Sequence, residues 1–210
     1  MIKLKDLLGE DFQDAAFHGY GMKPQQMRTS TCSTEWQNAD QDSGCPQFSD
    51  STKITKEDEQ TAIEYLNKED IKTLIAYSRG GAILLQALSK GAKKPNEINF
   101  VAPAWMRQWP TIKLTGTEAS GIKGFIMHGD LDNAVPLKHS VILSKQSRLP
   151  LYVVKGANHI TILKSKQNTS AGILIKDLNA AIENLPDWGA TGKASPEQLQ
   201  QQQNYINGIK

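Results

Sequence analysis

Residues 73–85, Thr73-Leu74-Ile75-Ala76-Tyr77-Ser78-Arg79-Gly80-Gly81-Ala82-Ile83-Leu84-Leu85, pass within a few positions from a short apolar run to a helical apolar pattern. Ile71, Leu74 and Ile75 suit a buried strand, and Ala82, Ile83, Leu84, Leu85, Ala87 and Leu88 recur as the apolar positions of a helix. Only residues 77–81 connect the two. So abrupt a reversal holds its middle residue in a strained conformation and needs neighbours without bulk, which Ala76 and Gly80 supply. The pattern small-x-Ser-x-Gly puts Ser78 at the carboxyl end of a strand, where the N-terminus of the next helix offers free N–H groups to developing negative charge. An ordinary turn with a capping serine fits the same residues, so the decision lies elsewhere in the chain.

The 210 residues, 39% of them hydrophobic, suffice for one sizeable core and are too few for two comfortable domains. We expect a single domain over residues 1–186, followed by a polar tail or peripheral helix over 187–210. The 24 basic and 22 acidic residues leave a net charge of +2 and are dispersed along the chain, a balance that does not call for a nucleic-acid partner. Residues 1–9 lack the apolar core of a signal peptide, and no run approaches the roughly 18 apolar residues of a membrane span, so the expectation is a cytoplasmic protein. Cys32 and Cys45 have no zinc-ligand spacing; a disulfide between them would need an oxidising compartment, and thiols fit the expected location better.

Residues 12–17 are weakly strand-like and lead into His18-Gly19-Tyr20-Gly21, where two glycines permit close backbone approach. Residues 24–52 are polar and hold at most one short helix around 35–39. Thr55 with Asp58 reads as a capping pair for a helix carrying Ala62, Ile63 and Leu66. Gly91 ends the helix after Ser78, and residues 98–103 form another buried strand. Trp105, Met106, Trp109 and Pro110, within 104–120, either pack beside that strand or roof a pocket, and the segment is too short for a large lid. Residues 122–127 and 151–154 read as strands, 137–147 as a helix, and 170–185 as the last firm helix. Ser195-Pro196-Glu197-Gln198 starts a further helix, but the glutamines at 200–203 have little to bury. Strands alternating with helices give an α/β class: a three-layer sandwich with a mostly parallel central sheet and helices on both faces.

Function gathers at the carboxyl ends of such strands, and the polar candidates fall there: His18, Ser78, Asp130, Asp132 and His159. A serine needs a histidine to take its proton and a carboxylate to orient that histidine. His18 and His128 read as structural, and His139 as an exposed helix residue.

The order Ser, Asp, His resembles the α/β-hydrolase family. The resemblance covers residues 12–185 and rests on Ala76-Tyr77-Ser78-Arg79-Gly80-Gly81, His128-Gly129-Asp130-Leu131-Asp132-Asn133-Ala134-Val135-Pro136 and Gly156-Ala157-Asn158-His159; Ala76 departs from the usual first glycine. It implies a reduced fold with a small lid or none, with Ser78 as nucleophile, His159 as general base and then acid, and Asp132, three residues before the Val-Pro pair, as the orienting carboxylate. Asp130 becomes a turn residue. The oxyanion hole falls to the N–H groups of Arg79 and Tyr20. The implied activity is a serine hydrolase cleaving a small-molecule carboxylic ester or thioester through an acyl-enzyme, without metal or organic cofactor. A non-catalytic binding protein on the same fold, a serine peptidase and an acyltransferase are the alternatives.

Overall fold

Near-continuous apolar runs along five short segments give each segment two buried sides, and in the computed structural model these segments lie together in one sheet. The structure describes residues 15–20, 45–68, 70–106, 114–164, 172–188 and 192–209. Strands β1 (Ala15–Phe17), β2 (Thr73–Tyr77), β3 (Glu97–Val101), β4 (Lys123–Gly129) and β5 (Leu151–Val154) are parallel neighbours in chain order, and β6 (Gly172–Leu174) pairs antiparallel with β5. The helices are α1 (Lys56–Lys68), α2 (Arg79–Ser89), α3 (Leu137–Ser147), the single turn α4 (Thr161–Lys164), α5 (Leu178–Asn184) and α6 (Pro196–Gly208).

The two faces of the sheet carry separate apolar clusters. Phe17, Leu74, Ala76, Ile98, Phe100, Ile126, Leu151 and Val153 pack with residues of α1, α2, α3, α5 and α6. On the other face Ala16, Ile75, Tyr77, Val101, Phe125, Met127 and Val154 pack with Cys45 and with Ile162 and Leu163 of α4. Helices therefore cover both faces of a mostly parallel sheet, unequally among the described residues.

Local chemistry accounts for many boundaries. Thr55 Oγ1 accepts from the Asp58 N–H, and the Asp58 carboxylate accepts from the Thr55 N–H, the reciprocal cap that starts α1. Gly91, at φ 84°, takes the left-handed turn after α2. Strand β3 stops before Ala102, whose φ of 45° turns the chain away from the ladder.

Some expectations fail. Residues 172–185 are not one helix: Gly172, Ile173 and Leu174 pair with the open edge of β5, and α5 begins afterwards, with Asp177 accepting from the Ala180 N–H. Unpaired backbone groups at that edge override the helical spacing of Ile173 and Leu178. Asp130 is more than a turn residue, because its carboxylate reaches across to accept from the Gly156 N–H at 2.6 Å. His139 is buried, not exposed, on the side of α3 where Trp105 Nε1–H donates to its carbonyl. Trp105 thus packs in the core. The readings at residues 12–14, 24–44, Trp109 and Pro110 lie outside the described residues, as does Cys32.

Candidate active site

The turn after β2 has the strain its sequence demands. Ser78 sits at φ 52° and ψ −119°, its N–H donates to Val101 O at 2.9 Å, and its carbonyl accepts from Gly81 and Ala104. This costs on the order of 1–3 kcal/mol and persists because both neighbouring strand ends hold it. Gly80 is required for contact: a Cβ there would fall 2.2 Å from Phe17 O. Gly19 also approaches, less closely: a Cβ there would stand 3.1 Å from the Ser78 Cβ. The loop after β1 therefore runs beside the serine.

Three strand ends bring the polar side chains together. Ser78 Oγ lies 3.0 Å from His159 Nε2, and His159 Nδ1 lies 2.7 Å from Asp132 Oδ2. The carboxylate makes Nδ1 the protonated nitrogen and leaves Nε2 able to accept from the serine hydroxyl. Asp132 Oδ1 accepts from the N–H groups of Ala134 and Val135, at 2.9 Å each. His128 Nε2 lies 3.3 Å from Asp132 Oδ2 and 3.0 Å from Val135 O, while its Nδ1 lies 2.7 Å from Ser140 Oγ. Facing two acceptors, Nε2 carries the proton. Burial alone would raise the Asp132 pKa, but the hydrogen bonds and charges of His128 and His159 hold it well below the usual carboxylate range. Asp132 is therefore a fixed anion in the site.

Tyr77 was not singled out in the sequence, yet it supports the histidine. Its hydroxyl donates to His159 O at 2.8 Å, and the two rings lie 5.1 Å apart. Burial first, and then the charge of Asp132, push its phenol above its ordinary pKa, so it remains a donor. The only sequence sign was an aromatic residue directly before the serine.

His18 fills a bracing position. Its Nε2 accepts from the Phe48 N–H at 3.1 Å and its Nδ1–H donates to Gly19 O at 2.9 Å. Burial lowers its pKa, and Arg79 adds to that. Tyr20 lies in the same loop with its ring exposed. Arg79 is the first residue of α2, so its N–H has no partner within the helix. Its guanidinium turns away from Ser78 into the protein: Nη2 pairs with Asp58 Oδ2 and donates to Lys53 O at 2.8 Å and Ser49 Oγ at 3.2 Å. Among the described residues no cluster of three or more His, Cys, Asp and Glu side chains could hold a metal ion.

A crystal structure described as a predicted CIB-like hydrolase from Thermoplasma acidophilum is similar over 73% of this chain and 79% of its own, with a TM-score of 0.50 and 20% sequence identity. This chain has the α/β-hydrolase fold. No protein-family model matches the sequence, and no curated protein matches it. In an α/β-hydrolase fold the carboxyl ends of β2, β4 and β5, where Ser78, Asp132 and His159 meet, form the edge at which open parallel sheets bind ligands. No described helix is long and apolar enough to cross a membrane.

Proposed function

We propose that the protein is a serine hydrolase that cleaves a small-molecule carboxylic ester or thioester through an acyl-enzyme on Ser78. The observation that carries the reading is the hydrogen-bonded chain Ser78 Oγ, His159, Asp132, at 3.0 and 2.7 Å, built on a serine with strained backbone. His159 Nε2 takes the hydroxyl proton as Ser78 Oγ attacks the carbonyl carbon, and Asp132 stabilises the imidazolium. The N–H groups of Arg79 and Tyr20 stabilise the tetrahedral oxyanion. Collapse of the intermediate expels the alcohol or thiol, which takes the proton from His159. Water, deprotonated by the same nitrogen, then attacks the acyl-enzyme and releases the acid. The residues ask for neither metal nor organic cofactor. A location in the cytoplasm belongs to the same reading.

Ser78→Ala tests it. The variant keeps the fold and loses turnover of p-nitrophenyl acetate by something on the order of a millionfold. A fluorophosphonate probe modifies Ser78 in the wild type and leaves the variant unlabelled. Wild-type hydrolysis by folded Ser78→Ala would end the proposal.

A further inference from the structure

The carboxylate of Asp132 is tied to its own loop, because Oδ1 accepts from the N–H groups of Ala134 and Val135. Where that loop sits therefore decides where the carboxylate sits, and through it His159. One flank is held by the end of β5 and the turn after it: Asp130 N donates to Val154 O, Leu131 N donates to Ala157 O, and Asp130 Oδ1 accepts from Gly156 N.

The other flank is held by the far end of the chain. Gln202, on α6, is fully buried. Its Nε2 donates to Asp130 O at 2.9 Å, and its Oε1 accepts from Leu137 N at 3.2 Å. The two partners lie two residues before and five residues after Asp132, so one amide side chain bridges the loop across its base. Leu137 N belongs to the first turn of α3, whose N-cap is Pro136, a residue with no side chain able to cap. Gln202 takes that place. A second tether runs from the same segment, with Ala194 N donating to Asn133 O at 3.0 Å. The three anchor points, Asp130, Asn133 and Leu137, bracket Asp132 along the chain.

We propose that the segment 192–209 is a clamp on the acid turn and that Gln202 is a positioning residue for the Asp132–His159 pair. Gln202 touches neither serine nor histidine. It acts by fixing the backbone from which Asp132 is presented, so its loss lets the turn shift and weakens the hold on the imidazolium. The proposal rests on the hydrolase reading above, since positioning has meaning only if His159 and Ser78 react.

Gln202→Met keeps the side-chain volume and removes both hydrogen bonds. The variant is expected to fold, by circular dichroism. Its kcat/KM for p-nitrophenyl acetate should fall by tenfold to about a hundredfold, the loss that displacing a reacting group by about an ångström produces. The acid limb of its kcat/KM profile should move to lower pH, because the protonated imidazole loses part of its counter-charge. A contact that served stability alone would lower Tm and leave that limb in place. A folded Gln202→Met enzyme with wild-type kcat/KM and an unmoved limb therefore overturns the clamp. If Gln202→Met does not fold, Ala194→Pro removes the donor to Asn133 from a half-buried position outside the helix, and the same two measurements decide. The hydrolase reading fails separately: a fully active Ser78→Ala protein removes it, whereas an inactive Ser78→Ala beside an unaffected Gln202→Met removes only the clamp.

Discussion

Removing Asp58 should cost more stability than removing any single apolar contact around it. The Arg79 guanidinium and the Asp58 carboxylate face each other with 2% and 0% of their side chains exposed. Asp58 also accepts from Ser49 N at 2.6 Å, Ser49 Oγ at 2.9 Å and Thr55 N at 2.8 Å. Asp58→Ala therefore strands a buried cation, opens half of the α1 cap and leaves donors without their acceptor. Stranding one charge of a buried pair costs about 3–5 kcal/mol, and a lost cap about 1 kcal/mol, with overlap between them. We expect a loss of about 4 kcal/mol in urea unfolding at pH 7, a large share of the 5–15 kcal/mol typical of a domain.

Two further readouts make the reasoning falsifiable. Burial would raise the Asp58 pKa, but the hydrogen bonds from Thr55 and Ser49 and the charge of Arg79 outweigh it and bring it below its ordinary 3.8. A carboxylate whose folded pKa is depressed stabilises fully above its unfolded pKa, and that stabilisation disappears as pH falls through the folded value. The gap between wild type and Asp58→Ala should thus stay whole down to about pH 4 and close only below it. Adding Arg79→Met to Asp58→Ala should raise stability, because it removes the stranded charge. A single-variant loss under about 1 kcal/mol, or a double variant less stable than Asp58→Ala, would refute the account.

Gly80→Ala should destabilise by about 3 kcal/mol in thermal unfolding, since its methyl group meets backbone and forces β1 away from α2; a wild-type Tm would contradict the close approach. Tyr77→Phe removes the donor to His159 O and should lower stability by about 1 kcal/mol, with ester hydrolysis reduced several-fold. His128→Leu takes a proton donor from Asp132 Oδ2 and should reduce kcat on the order of tenfold, with KM little changed; an unaffected kcat would make His128 a packing residue only.

The local parts of the architecture were legible in the sequence. The turn at residues 77–81 needs small neighbours and an abrupt change of apolar period, and both can be read without knowing what lies opposite. The same holds for the Thr55–Asp58 cap, for the helix 137–147 and for the strand 151–154, whose observed limits coincide with the expected ones. Ser78, Asp132 and His159 could be named as candidates because parallel strands end on one edge: Ser78 follows directly on β2, Asp132 and His159 stand in the turns after β4 and β5, and the choice of Asp132 over Asp130 rested on the family resemblance. What supports them was not legible. Gln202 stands in a run of glutamines that reads as solvated surface, and its burial depends on an acid turn 72 residues earlier. The strand at 172–174 was misread because its cause is the unpaired edge of β5, which no spacing within residues 170–185 records.

Arg79 contains this division within one residue. Its N–H is placed by the turn it closes, so the position could be argued from Ser78 and Gly80 alone. Its guanidinium is placed by Asp58, 21 positions away, and the pairing exists only once α1 lies against α2. The buried pair is made by the residue next to Ser78, whose amide the proposed mechanism assigns to the oxyanion. A charge at that point could have stabilised the oxyanion through its side chain, yet Nη2 is committed to Asp58, Lys53 and Ser49. The guanidinium therefore ties α2 to α1 and to the segment at Ser49 and Lys53, and under the proposed mechanism oxyanion stabilisation falls to the backbone N–H, so Arg79→Met alone, which leaves Asp58 buried without its cation, should lower stability more than it changes chemistry.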